Sequence, residues 1–142
     1  MPANAVVDAS ALIRSVRERD GAGREWLGAI GTGRIRAQAP DFVFFEVGNG
    51  LAKYLRAGRM TATEADLHLS NLLDAPIERV PAALLARQAL ALAVARGLSV
   101  YDAAYLALAL GTDAILVTAD RRLAAEAEKS ALLPDEGPPA PV

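Results

Sequence analysis

Four carboxylates stand where a folded domain has little use for them: Asp8 closing a Val-rich run, Glu46 inside the apolar stretch Phe42–Val47, then Asp102 and Asp120. Placing an ionised carboxylate in apolar surroundings is costly unless a cation or strong donors compensate. If the four converge, their mutual repulsion calls for a divalent ion. The chain has no cysteine and a single histidine, His68, which excludes thiolate and multi-histidine metal centres, so any metal is held by oxygen. Mg2+ or Mn2+ suits such a pocket, because magnesium takes one or two carboxylates and completes its shell with water and phosphate oxygens. The chemistry implied is hydrolysis of a phosphate ester: a metal-activated water attacks in line at phosphorus while the cation offsets charge on the phosphate and the leaving oxygen.

Three of the acids also have an ordinary task available. Asp8 before Ala9-Ser10-Ala11 and Asp120 before Arg121-Arg122-Leu123 are placed to N-cap helices, and Ser99 with Asp102 reads as a capping box. Glu46 has no such task, since Phe42, Val43, Phe44, Phe45 and Val47 leave it no obvious polar face. One shared site accounts for the four together better than three separate caps do. Arg121 and Arg122, beside the last acid, are candidates to touch substrate phosphates, with an exposed helix start as the plainer account. Arg14, Arg17 and Arg19, interrupted by Glu18 and Asp20, read as a mixed solvated surface. Tyr101 and Tyr105, one helical turn apart, read as packing, and with Trp26 and Tyr54 they are too scattered for a base-stacking platform. His68, among Leu67, Leu69, Leu72 and Leu73, reads as packing or as a helix surface used in a dimer.

The elements that must position these residues follow from periodicity. Strand-like runs at Ala3–Val7, Ile35–Ala39, Ile77–Val80 and Ala114–Thr118 alternate with helical patterns. The first helix follows Asp8 through Ile13. Gly21 and Gly23 break the pattern, and Arg24–Ile30 reads as a second helix ended by Gly31 and Gly33. A long helix runs from after Pro40 to Arg56, Thr61 with Glu64 opens another through Leu73, and Pro81 starts one that Gly97 stops at Arg96. Val100–Leu110 is helical with Gly111 ending it, and Asp120 opens a last helix to about Ser130, with Leu132 and Leu133 as a short edge strand. This alternation predicts a parallel sheet with helices on both faces, whose ligands sit beyond the carboxyl ends of the strands. Asp8 and Asp120 lie at two such ends, on neighbouring strands if the first strand is central.

Composition narrows the classes. A chain of 142 residues suits one domain, and although 53% of it is apolar, no run reaches the length of a membrane span. The start at Met1, Pro2, Ala3 and Asn4 lacks the pattern of a signal peptide, so the cytoplasm is expected. Net charge is −2, which excludes binding driven by phosphate neutralisation over the whole surface and leaves room for a local basic patch. Gly48 and Gly50 flank Asn49 within the long helix, where close helix approach would justify them. The last nine residues, Pro134–Val142, hold four prolines and a glycine and are expected to be a disordered tail.

Four segments, VVDASALI, FEVGNGLAK, SVYDAAYLALAL and LVTADRRL, occur in order and at family-like spacing between residue 3 and about 133. The chain therefore resembles a PIN-domain ribonuclease, and within that family the VapC-type toxins of type II toxin–antitoxin pairs. The resemblance implies a three-layer α/β/α PIN-like fold with a central parallel sheet of four or five strands, a PIN domain over 1–133 and the Pro-rich tail over 134–142. It assigns Asp8, Glu46, Asp102 and Asp120 as catalytic and metal-holding, with Ser10, Asn49 and Thr118 as auxiliary neighbours. It further implies an Mg2+- or Mn2+-dependent endoribonuclease with an RNA substrate, a homodimer, and a cognate antitoxin that inserts a segment into the groove. Two alternatives stand beside it: a catalytically silent module that binds an antitoxin-like partner, and a phosphatase of small phosphomonoesters, for which Ser10 stands where an aspartate would be wanted.

Overall fold

A computed structural model describes residues 2–18 and 21–140; Arg19 and Asp20 of the basic edge, and Pro141 and Val142 of the tail, lie outside the described residues. β1 (Ala3–Val7) leads into α1 (Ala9–Arg17) and α2 (Ala22–Gly31), and β2 (Ile35–Pro40) into α3 (Val43–Arg56) and α4 (Ala62–Asp74). β3 (Ile77–Val80) is followed by a single 3-10 turn over Ala82–Leu84, α5 (Ala86–Arg96) and α6 (Val100–Thr112), and β4 (Ile115–Thr118) by α7 (Arg121–Glu126) and β5 (Ser130–Leu132). The five strands form one parallel sheet in the order β3-β2-β1-β4-β5. The chain first builds outward from β1 to β3 and then resumes at β4 on the other side of β1. The strand order thus reverses between β1 and β4, where open α/β sheets leave a crevice at the strands' carboxyl ends.

Crossovers leaving β1 in opposite directions put the helices on both faces. α1 packs on α2 and α3, and α3 on α4; α6 crosses β1, β2 and β4 and packs on α5 and α7. The core is small-residue and aliphatic, with Val6, Val43, Val47, Leu72, Leu106, Leu116 and Val117 fully or almost fully buried. α6 contributes an unbroken buried run from Ala103 to Ala109, and its alanines let it lie close on the sheet.

Several boundaries differ from the sequence reading. Gly23 lies inside α2, where a Cβ would come within 3.2 Å of the Ser15 backbone, and Gly21, in front of the helix, takes φ 107°. Gly111 lies inside α6; the helix stops at Asp113, which takes the left-handed conformation (φ 52°) that a short polar side chain tolerates. The helix expected from Pro81 breaks at Leu85 into the 3-10 turn and α5. α7 ends at Glu126, four residues short, because the chain must turn to add β5 beside β4.

Gly50 sits where α1 crosses α3, and a Cβ there would run into the Ile13 Cδ1, which accounts for that glycine. Gly48 has open space instead. Gly48→Ala is therefore expected to stabilise the protein by about 0.5–1 kcal/mol through helix propensity alone, read as a rise in the urea midpoint at unchanged slope.

At the C-terminus, Trp26 donates its indole N–H to the Glu136 carbonyl at 2.8 Å, and Arg34 reaches the Pro139 carbonyl at 2.8 Å. The segment 134–140, expected to be free of the domain, is thus placed against α2. A buried indole N–H needs an acceptor, and a backbone carbonyl supplies it.

Candidate active site

Asp8 is the N-cap of α1 and its Oδ1 accepts from the Ala11 amide at 2.9 Å. It is also 95% buried, far more than capping requires. Two hydroxyls hold its oxygens: Ser10 donates to Oδ1 at 2.7 Å and Thr118 to Oδ2 at 2.5 Å. Each hydroxyl in turn accepts a backbone N–H from the β4–α7 connection, Ser10 from Ala119 at 2.9 Å and Thr118 from Asp120 at 3.0 Å. Both donor protons are thereby aimed at Asp8. Asp120 caps α7 through the Arg122 and Leu123 amides, at 2.9 and 3.2 Å.

Asp102 lies in the first turn of α6, where Ser99 accepts its amide at 3.0 Å. The capping reading of these acids is therefore correct, and capping does not exhaust them. Asp8, Glu46, Asp102 and Asp120 all line one cleft of about 320 Å3, together with Ser10, Asn49 and Tyr105. Glu46 reaches it from the first turn of α3. Its surroundings are less apolar than its sequence neighbours imply: Val43 and Val47 are buried, but Phe45 is 82% exposed.

The charges are coupled. Burial pushes the Asp8 carboxyl up to about 6, against the hydrogen bonds from Thr118, Ala11 and Ser10, and the Asp102 charge adds to the rise. Glu46 is raised by burial and by Asp102, opposed by its bond from Tyr105. Asp102 is raised by burial and by Asp120, opposed by Ser99 and Arg122. These are carboxylates facing one another across a shared space. Among the described residues no three of them form a ready-made ligand set. The donor set is nonetheless all hard oxygen, which fits Mg2+ or Mn2+ keeping part of its water shell.

Tyr105, which its spacing from Tyr101 marks only as a packing residue, is part of the site. It is buried, and its hydroxyl donates to Glu46 Oε1 at 2.6 Å; burial and Glu46 together push the phenol far up, so it stays a donor. The available signal was its spacing, three residues after Asp102 and hence on the same helix face. Phe42 packs edge-on against both Tyr105 and Tyr101, and Tyr101 is itself 59% exposed. Tyr105→Phe is expected to lower turnover by about tenfold while leaving the fold intact, as removal of a single bond worth roughly 1.5 kcal/mol to a charged group would. A cleavage time course beside a thermal melt checks both.

Asn49 lines the cleft from α3. Arg122 is drawn to the Gly97 carbonyl and places its charge near Asp102, while Arg121 is exposed at the start of α7; neither lines the cleft.

Residues 5–129 match the PIN-domain family, so the chain belongs to that family. It is 33% identical over 133 residues to the protein named exonuclease VapC9 of Pyrobaculum aerophilum, covering 89% of this chain and 87% of that one. It is 32% identical over 118 residues to the protein named ribonuclease VapC9 of Mycobacterium tuberculosis, covering 83% and 87%. Among solved structures, the crystal structure of PAE2754 from Pyrobaculum aerophilum superposes with a TM-score of 0.72 at 30% identity, over 92% of this chain and 91% of that one. The three-layer α/β/α arrangement with a five-stranded parallel sheet is thus the PIN fold, and the relatives are nucleases of the VapC type. Among the described residues no single helix is long and apolar enough to cross a membrane.

Proposed function

We propose that this protein is an Mg2+- or Mn2+-dependent endoribonuclease acting as the toxin of a toxin–antitoxin pair in the cytoplasm. The observation that carries the reading is one cleft, at the reversal point of a parallel sheet, lined by four carboxylates from α3, α6 and the starts of α1 and α7. Asp8, Glu46, Asp102 and Asp120 would hold the cation. When bound, it would offset charge on the phosphate and lower the pKa of the attacking water. The protein's own groups supply position. Ser10 and Thr118 fix Asp8 in one orientation, Tyr105 fixes Glu46, and the α6 and α7 first turns set Asp102 and Asp120. Asn49 offers an amide at the rim.

Internal cutting is favoured because a second cleft lies beside the acid cleft between α1 and α3, with Ser10, Ile13, Gly50 and Lys53 lining both, so a strand need not end at the acids. A homodimer is supported by Leu84 on the 3-10 turn and Leu90 and Val94 on α5, which are 78%, 58% and 79% exposed. The likeness to VapC proteins supports a cognate antitoxin partner.

Incubation of the purified protein with a closed circular RNA and Mn2+ tests the function, because a circle offers no end to an exonuclease. Linear products from wild type and none from Asp8→Asn are expected. Equal cleavage by both would remove the assigned site; no cleavage by either of the circle or of a linear RNA of the same sequence would favour the silent binding module, and cleavage of the linear RNA alone would make the enzyme an exonuclease. EDTA should abolish activity and a zinc-selective chelator should not, since no soft ligand is present.

A further inference from the structure

Two helix faces meet beside the acids. On α1, Ser10, Ile13, Arg14 and Arg17 recur at helical spacing; on α3, Glu46, Asn49, Gly50 and Lys53 do the same. Both stripes begin at the acid cleft and end at a cleft of about 450 Å3 lined by Arg14, Arg17, Lys53 and Tyr54. Seven residues of helix carry each stripe about 10 Å. Charge therefore changes sign between two neighbouring clefts that share Ser10, Ile13, Gly50 and Lys53 in their linings.

The cations in the far cleft are prearranged. Arg17 donates to the Tyr54 hydroxyl at 2.9 Å and its guanidinium lies 4.1 Å from the Tyr54 ring centroid, so it is held between two helices. Arg14 is half-buried and pairs with Glu18 at 3.5 Å. Glu18 is the one acid among the described residues lining this cleft, and its other oxygen is buried near Gly21 and Gly23 at the start of α2. Lys53 makes no hydrogen bond or ion pair among the described residues and lines both clefts. The cations also complement the C-terminal ends of α1 and α3. That role does not require three of them to line one cleft beside the acids.

We propose that the α1–α3 cleft is a phosphate subsite that seats the RNA backbone next to the bond being cut, an inference resting on the ribonuclease reading. A net charge of −2 for the whole chain makes a local cationic channel the place where a polyanion gains most. Arg14, Arg17 and Lys53 bind strand phosphates there, and the acids receive the phosphate one step further along.

Binding separates this from the chemistry. In the Asp8→Asn background, with a short fluorescent single-stranded RNA, Arg17→Ala with Lys53→Ala should weaken affinity at least about tenfold near 100 mM salt. It should also reduce the slope of log K against log salt by about 1.4, or 0.7 per lost phosphate contact. Arg36→Ala, at the opposite, amino-terminal edge of the sheet, serves as control and should change neither. Affinity and slope unchanged in the double variant would overturn the subsite. Polyglutamate binding this cleft as tightly as RNA would assign it to an acidic peptide and overturn it likewise. If wild type cuts circular RNA and the double variant binds RNA normally, the ribonuclease reading stands and the subsite falls. If wild type binds RNA through these residues and never cuts, the reverse holds.

Discussion

Asp8→Asn should abolish RNA cleavage and, in EDTA at pH 8, make the protein more stable than wild type. Loss of the carboxylate proposed to hold the cation is expected to lower the cleavage rate at least about a hundredfold. The stability gain follows from the raised carboxyl, about 6 against an ordinary 3.8. The folded protein binds this proton more tightly than the unfolded chain, so its stabilising contribution is fully present below about pH 4. It is lost as pH rises through 6. Above that, ionised Asp8 costs about 3 kcal/mol, at 1.36 kcal/mol per pKa unit. The asparagine removes that cost and gives back about 1 kcal/mol, because its amide meets the Thr118 hydroxyl donor to donor. A net gain of about 2 kcal/mol, or roughly 4–8 °C in Tm, is expected. Calorimetry at pH 4 and pH 8 checks the sign: the advantage should vanish at the lower pH. A variant less stable than wild type at pH 8 would mean that Asp8 is structural first.

Leu106→Ala should have the opposite signature. Leu106 is fully buried in the central turn of α6, where that helix lies across β1, β2 and β4. The truncation removes burial and leaves a cavity that alanine-rich neighbours cannot fill, at a cost of about 2–5 kcal/mol. Urea unfolding monitored by circular dichroism should show a lower midpoint with the same slope. Cleavage per folded molecule should be little changed, since Leu106 does not line the acid cleft. Together the two variants separate loss of chemistry from loss of fold.

Much of the architecture was legible because it rests on local patterns. β1 and β3 coincide with their β-branched runs, Thr61 caps α4 through the Glu64 amide as the capping box requires, and the parallel order follows from strands alternating with helices. Helix ends are less legible where glycine signals a stop: Gly23 and Gly111 sit inside helices, because packing of α2 and α6 outweighs a propensity cost of about 1 kcal/mol. The gathering of four acids into one cleft could be inferred from topology, but their partners could not. The Tyr105 bond to Glu46 joins residues 59 apart, and the Thr118 bond to Asp8 residues 110 apart. Neither distance leaves a trace in local periodicity. Arg14 and Arg17 read as solvated for the same reason, since the half of their cleft supplied by Lys53 and Tyr54 comes from another helix.

The paired hydroxyls around Asp8 bear on how the site behaves as a unit. Ser10 and Thr118 each give their single proton to Asp8 and take one from the backbone that carries Asp120. Protonating the carboxyl leaves the ring with one hydrogen too many, so a hydroxyl must swing away and loosen its hold. Neutralising one acid is thus felt by the loop that carries another, so Asp8 and Asp120 respond together.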